Sequence, residues 1–277
     1  MIYVLNLGDS KLNLSDFLKV SEEVWRPKYG KLFEQDIFTP GNTVYIKLPS
    51  ASIIVDPNDY SESCQPGSKY FPSPGYQPPP TMLEQLDDLS VKPSDITKVI
   101  ITHAHYDHYA GVTIKNKAGV YEPTFPNARY YLGAADWEAS ELVGDALNKE
   151  GTPQRRTLGV LRDKKLLDLL RGTQSLDESM SIIPTPGESP GHQLLKVSSK
   201  GQSAYCVGDL FHHWVEIEEP GWGPEWVDVK KNLTSKKELC ETAVSERALI
   251  IPGHMTPGRI RNREGSSTNF QWVDSGD

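Results

Sequence analysis

The sequence predicts a single α/β domain, with short strands in groups and helices laid over them. Three observations predict it. Short β-branched apolar runs bordered by Gly, Pro and Asp recur along the chain. Segments with apolar residues at helical spacing stand between them. No linker or shift in composition divides the 277 residues, so one domain over 1–277 is expected, with a sizeable core.

In chain order, strands are expected at 2–7 (IYVLNL), 43–48 (TVYIKL), 52–56 (SIIVD), 98–102 (KVIIT) and 129–132 (RYYL). Others follow at 181–184 (SIIP), 193–197 (QLLKV), 204–208 (AYCVG) and 248–252 (ALIIP). Helices are expected at 81–89, 134–142, 160–171 and 235–244. Thr81 with Glu84, and Ser235 with Glu238, have the spacing of capping boxes. The Pro/Gly/Ser-rich stretch 58–80 reads as a long loop, and its Tyr70, Phe71 and Tyr76 are expected to cover a site.

Bulk properties narrow the function. A net charge of -8 with no basic stripe argues against a nucleic-acid partner. No apolar window approaches the length of a membrane span. The first residues lack a basic region and a cleavage site, so no secretion signal is expected and a cytoplasmic location is. Cys64, Cys206 and Cys240 are odd in number and far apart, which suggests no disulfide framework. Cys206, inside AYCVGD, reads as a small core residue.

The stretch THAHYDHYAG (102–111) follows the apolar run KVIIT and carries His103, His105, Asp107 and His108. Imidazole and carboxylate together suit zinc, manganese or iron. On extended backbone His103 and His105 point the same way and can grip one ion. A turn after Tyr106 would aim Asp107 and His108 at a second. Further along, His192, Asp209 and His254 each follow a glycine beside an apolar strand, where glycine lets the backbone turn sharply. Singly, each is more often a capped histidine or a turn aspartate. In combination with the dense first cluster they point to a metal centre.

HxHxDH followed in order by Gly-His, Gly-Asp and Gly-His resembles the metallo-β-lactamase superfamily, from about the SIIVDP strand onward. The resemblance implies an αββα sandwich, two mixed β-sheets face to face with helices outside and metals at one edge. It implies one ion on His103, His105 and His192, a second on Asp107, His108 and His254, and Asp209 bridging them. Asp56 and Thr102 are then expected beside the site, holding ligands without binding metal. Two divalent ions are implied, zinc foremost, with manganese, iron or cobalt also suited.

The chemistry implied is hydrolysis. Two ions about 3.5–4 Å apart share a hydroxide that attacks a carbonyl, and no serine or cysteine nucleophile is needed. Asp107 would pass a proton to the leaving group. SPGHQLLKV and the tail PGHMTPGRIRNREGSSTNFQWV resemble the N-acyl-homoserine lactonase and methyl parathion hydrolase branch. Glyoxalase II resembles the chain less, and true lactamases usually carry Cys where Asp209 stands. A small lactone, or a related cyclic amide or carbamate, is therefore the expected substrate. Phe211, Trp214 and His212, next to Asp209 in a stretch that also holds Trp222 and Trp226, are the expected substrate contacts. Tyr106 and Tyr109 are expected to pack. The resemblance leaves room for a homodimer. Rival readings are a thioesterase or organophosphate hydrolase of the same fold, a persulfide-type dioxygenase with one iron, and a scaffold on a decayed enzyme.

Overall fold

The computed structural model of the chain describes residues 1–59, 75–266 and 269–274. Cys64, Tyr70, Phe71 and most of the 58–80 loop lie outside the described residues. The chain opens with β1 (Ile2–Asn13), three short helices α1 (Leu14–Phe17), α2 (Glu22–Tyr29) and α3 (Lys31–Glu34), then β2 (Asp36–Lys47) and β3 (Ser52–Val55). Helix α4 (Met82–Asp88) leads into β4 (Lys98–Ile100). The hairpin β5 (Thr113–Lys115) and β6 (Tyr121–Pro123) precedes β7 (Arg129–Gly133). Short helices α5 (Ala134–Glu138), α6 (Pro153–Arg156) and α7 (Leu158–Asp163) precede β8 (Leu167–Leu170). The second half holds β9 (Gln174–Asp177), β10 (Met180–Pro184), β11 (Gln193–Ser199) and β12 (Gln202–Gly208). It ends with α8 (Val215–Glu218), α9 (Val229–Glu246), β13 (Leu249–Pro252), β14 (Gly258–Asn262) and β15 (Phe270–Asp274).

Two mixed sheets result, in the orders β1-β2-β3-β4-β7-β8 and β15-β14-β13-β12-β11-β10-β9. β3, β4, β7 and β8 run parallel, as do β12 and β13, while the other pairs are antiparallel. Period-two alternation sorts the side chains into layers. Ile53, Val55 and Ile100 meet Ile182, Leu195, Cys206 and Ile251 between the sheets. The alternate residues Ile54, Val99 and Tyr130 pack outward with Leu86 of α4 and Leu161 of α7. Tyr205, Val207 and Ile250 pack outward with Leu239 and Ala243 of α9. The order helix, sheet, sheet, helix is the expected αββα sandwich, and Cys206 is a core residue as expected.

Several local expectations are corrected. The apolar spacing at 160–171 reads as one helix, but the helix stops at Asp163 and Leu167–Leu170 form an edge strand. Lys165 takes a left-handed conformation at φ 58, which breaks the helix there. The helix expected at 134–142 ends at Glu138. Ser235 is no N-cap, because α9 begins seven residues earlier under Asp228, whose side chain accepts the Lys231 amide hydrogen. The Ser235 hydroxyl instead donates 2.8 Å to the Pro186 carbonyl, tying the helix to the loop before His192. The Thr81–Glu84 capping box is formed in both directions. Among the described residues no helix is long and apolar enough to cross a membrane.

Candidate metal centre

The site lies where strands of both sheets end. β4 delivers residues 102–108, β12 delivers Asp209, β13 delivers His254, and the loop between β10 and β11 delivers Glu188 and His192. A single 3-10 turn at Tyr106–His108 follows the extended His105. It carries Asp107 to the side of His254, with Oδ2 3.3 Å from His254 Nε2, while the His108 ring stays against that of His103 at 4.1 Å rather than turning away from it. Glycine is needed at two of these strand ends. Gly208 sits at φ 50, where a Cβ would strike the Thr102 hydroxyl at 2.3 Å. A Cβ on Gly253 would come within 2.8 Å of the Asp209 carboxylate and 3.0 Å of the His108 ring.

Two groups of ligand-type atoms form, each within 4.8 Å. One comprises His103, His105, Glu188 and Asp209, the other Asp107, His108 and His254. His192 is fully buried, its ring 5.3 Å from that of His103 and its Nε2 without a partner. Asp209 joins the groups, with Oδ2 3.2 Å from His108 Nε2 and 3.8 Å from His103 Nε2, and Oδ1 3.4 Å from His254 Nε2. The seven residues singled out from the sequence therefore converge on one place.

Supporting residues decide which nitrogen each ring presents. The Thr102 hydroxyl donates 2.7 Å to Asp56 Oδ2, so at 3.1 Å it accepts from His103 Nδ1. His108 Nδ1 donates to Asp56 at 3.0 Å, and His254 Nδ1 donates to the Pro40 carbonyl at 3.0 Å. In each neutral ring the Nε2 lone pair then faces carboxylate oxygens. Nε2 of His103 and His108 has no hydrogen-bond partner although both are buried, and neither have Asp209 Oδ1 and Glu188 Oε2. Acceptors facing acceptors in the interior are costly unless a cation lies between them. Protons are the alternative. Burial opposes charge on His254, yet Asp209 and Asp107 draw its pKa up to about 10. Burial and the neighbouring histidines push His103 the other way, well below the usual imidazole value. The donor set, N and O at interligand distances near 3.2–3.8 Å, fits divalent ions.

Asp56 stands where expected, near the site and directed at histidine. Its backbone is left-handed, φ 49, and its carboxylate takes both the Thr102 amide and hydroxyl at 2.7 Å. Two acidic residues were not anticipated. Glu188, inside PGESPGHQ, is buried with Oε1 3.2 Å from His105 Nδ1 and Oε2 3.4 Å from His103 Nε2. Its signal was a carboxylate four residues before His192 in the same Gly/Pro loop. Asp136 is fully buried and accepts from the Ala104 amide, the Ser189 hydroxyl and the Gly191 amide, joining the two histidine loops. Burial raises its pKa despite those donors.

A cavity of about 410 Å³ opens on the cluster, lined in part by Leu12, Phe17, Tyr106, Asp107, His212, Trp226 and His254. The expected substrate contacts divide. His212 lies on this wall. Phe211 is buried in the core with Leu239 and Ile250, and Trp214 packs beneath α1–α3 with Tyr29; neither lines the cavity. Trp226 takes that place, its ring edge-on to His105 at 5.9 Å and its indole nitrogen donating 2.8 Å to Glu188. Tyr109 packs in the core as expected, whereas Tyr106 lines the cavity and its hydroxyl accepts from Arg156 at 2.8 Å. Tyr76 hydrogen-bonds at 2.8 Å to the Asp9 amide and is not among the lining residues.

Behind His212 runs a buried polar chain. Glu216 Oε1 lies 3.3 Å from His212 Nδ1, and its Oε2 takes the Lys236 ammonium at 2.6 Å. Both residues are fully buried. Burial works against charge on His212, but Glu216 and Asp209 outweigh it and hold its pKa up at about 9.

A layered αββα sandwich with histidines and aspartates gathered at one edge, in groups that could hold metal ions, defines the class of protein. The family model described as the metallo-beta-lactamase superfamily matches residues 37–254, and the chain belongs to that superfamily. Among characterised relatives, it is 23% identical over 172 residues to an N-acyl homoserine lactonase of Bacillus cereus, covering 61% of this chain and 60% of that protein. It is 24% identical over 181 residues to metallo-beta-lactamase domain-containing protein 1 of Xenopus laevis, covering 65% and 63%. The aligned stretch thus spans about three fifths of those relatives. The fold is shared with hydrolase AbOPH of the beta lactamase superfamily, at TM-score 0.78 and 19% identity over 99% of this chain and 93% of that one. It is also shared with AidC, a dizinc quorum-quenching lactonase, at TM-score 0.75 and 18% identity over 99% and 94%.

Proposed function

We propose that the chain is a dinuclear metal-dependent hydrolase that opens a small lactone or a related cyclic amide or carbamate. The observation that carries the reading is the pair of buried Nε2 atoms of His103 and His108, without hydrogen-bond partners and facing carboxylate oxygens, with Thr102 and Asp56 on the opposite ring nitrogens. His103, His105, His192 and Asp209 would hold one divalent ion, and Asp107, His108, His254 and Asp209 the other. Ions held there supply a water acidified from near 16 to about 7 and a Lewis-acid contact for the acyl oxygen.

The chain's own residues supply the rest. The apolar side of the cavity, with Leu12, Phe17 and Trp226, excludes water around the body of the substrate. His212, on the cavity wall with its Nδ1 3.3 Å from Glu216 behind it, donates a hydrogen bond to the substrate's polar end. Asp107 is partly exposed on the cavity wall with Oδ2 3.3 Å from His254 Nε2, and its carboxylate accepts the proton released as water adds to the acyl carbon and relays it to the leaving oxygen or nitrogen. The named activity of the lactonase relatives and the volume of the cavity support a cyclic ester as first choice.

The test is elemental analysis beside a hydrolysis panel of lactones, a lactam, a thioester and a phosphotriester. About two ions per chain with lactone turnover, abolished in Asp107→Ala, is the expected result. Full metal occupancy with no turnover of any carbonyl substrate overturns the reading. One iron per chain, a silent panel and oxygen uptake with a thiol would replace it with the dioxygenase.

A further inference from the structure

We infer that Glu188 is an additional metal ligand, making the first site richer in oxygen than three histidines and an aspartate would be. The inference rests on the metal centre proposed above and adds a residue to it. Glu188 sits on the loop between β10 and β11, four residues before His192, with no exposed side-chain surface. Its two oxygens face the two histidines from inside the protein. Oε1 lies 3.2 Å from His105 Nδ1 and Oε2 lies 3.4 Å from His103 Nε2.

Those separations match neighbouring ligand atoms around one ion with bonds of about 2.0–2.2 Å. A purely hydrogen-bonded role leaves a contradiction at Oε2. The facing His103 ring gives its Nδ1 hydrogen to Thr102, so its Nε2 and Glu188 Oε2 are both acceptors, and both are buried without a partner. A cation shared by the two removes both deficits at once. Oε1 is additionally fixed by the Trp226 indole at 2.8 Å, which aims the carboxylate and leaves Oε2 free for the ion.

The consequence concerns which metal is held. Two carboxylates balance the charge of one divalent ion, and four or five protein donors suit ions that accept more than four ligands. Added hard oxygen moves preference toward manganese or iron relative to tetrahedral zinc. Glu188→Gln keeps the shape and the acceptor for Trp226 while removing the charge.

The experiment is competition titration of wild type and Glu188→Gln with manganese and with zinc, alongside a crystal structure of manganese-loaded wild type. In the variant, one of the two ions is expected to bind at least about tenfold more weakly, with manganese losing more than zinc. In the crystal a Glu188 oxygen is expected at bonding distance. Equal affinities in both proteins, or a Glu188 oxygen more than about 3 Å from a bound ion, overturns the inference while leaving the two-metal centre intact. Wild type that takes up neither metal overturns the centre itself, and Glu188 with it. The crystal structure decides the matter even if the variant does not fold.

Discussion

Replacing Lys236 by methionine strips a fully buried carboxylate of its ammonium partner. Lys236 and Glu216 are both wholly inaccessible, with N–O separation 2.6 Å. At an effective dielectric of 20, that pair attracts by about 6 kcal/mol. The methionine side chain roughly refills the lysine stem, so lost packing is small. Removing one partner of a buried pair costs about 3–5 kcal/mol. Protonation sets a ceiling on the charge penalty, because neutralising an ordinary glutamate at pH 7 costs about 4 kcal/mol. The expected loss of unfolding free energy is therefore about 3–4 kcal/mol.

The pH dependence identifies the cause. In wild type, burial pushes the Glu216 pKa up, but Lys236 and His212 overcome this and hold it down at about 2. Its stabilising contribution is present above the unfolded glutamate pKa and is lost as pH falls toward 2. In Lys236→Met the folded pKa rises above the unfolded one, so the deficit grows as pH rises from about 4.5 to 7. Urea unfolding at pH 4.5 and pH 7 measures both. A paired Glu216→Gln, Lys236→Met variant should recover part of the loss at pH 7. A Lys236→Met protein within about 0.5 kcal/mol of wild type at pH 7, or a deficit that does not change with pH, would refute the reasoning.

Two other outcomes follow from the site. Asp56→Asn takes an acceptor from Thr102 and His108 and frees the His108 ring to present the wrong nitrogen; metal affinity by competition titration should fall about 10–100-fold. Trp226→Ala opens the apolar wall of the cavity, so KM for a lactone should rise about tenfold or more with a smaller change in kcat, measured by steady-state kinetics.

The amino-acid sequence determined the elements whose signals are local. HxHxDH is legible because its spacing places ligands through one strand end and one turn, and no distant residue is needed to interpret it. Gly208 and Gly253 are legible because a backbone that passes within 3 Å of a neighbour admits no side chain. The Thr81–Glu84 cap involves residues three apart. Where sequence reading failed, the decision was made at a distance. Residues 167–170 carry helical periodicity, but the free edge of β7 offered a ladder of hydrogen bonds and they became a strand. Ser235 had the sequence of a cap, yet the carbonyl of Pro186, far back in the chain, claims its hydroxyl.

The same division holds at the site. The metal-type residues announce themselves because imidazole and carboxylate are rarely crowded without a cation. The pocket does not. Leu12 and Phe17 from the first strand and helix reach the cavity only because β1 pairs with β2 and α1 folds over the sheet edge. Trp214 and Trp226 are alike in sequence, and only packing puts one beneath the N-terminal helices and the other against Glu188. Glu188 itself is an unremarked acid in a loop until tertiary contacts set it against two histidines. Ligand chemistry is a property of residue type and spacing, whereas burial and partnership belong to the folded chain.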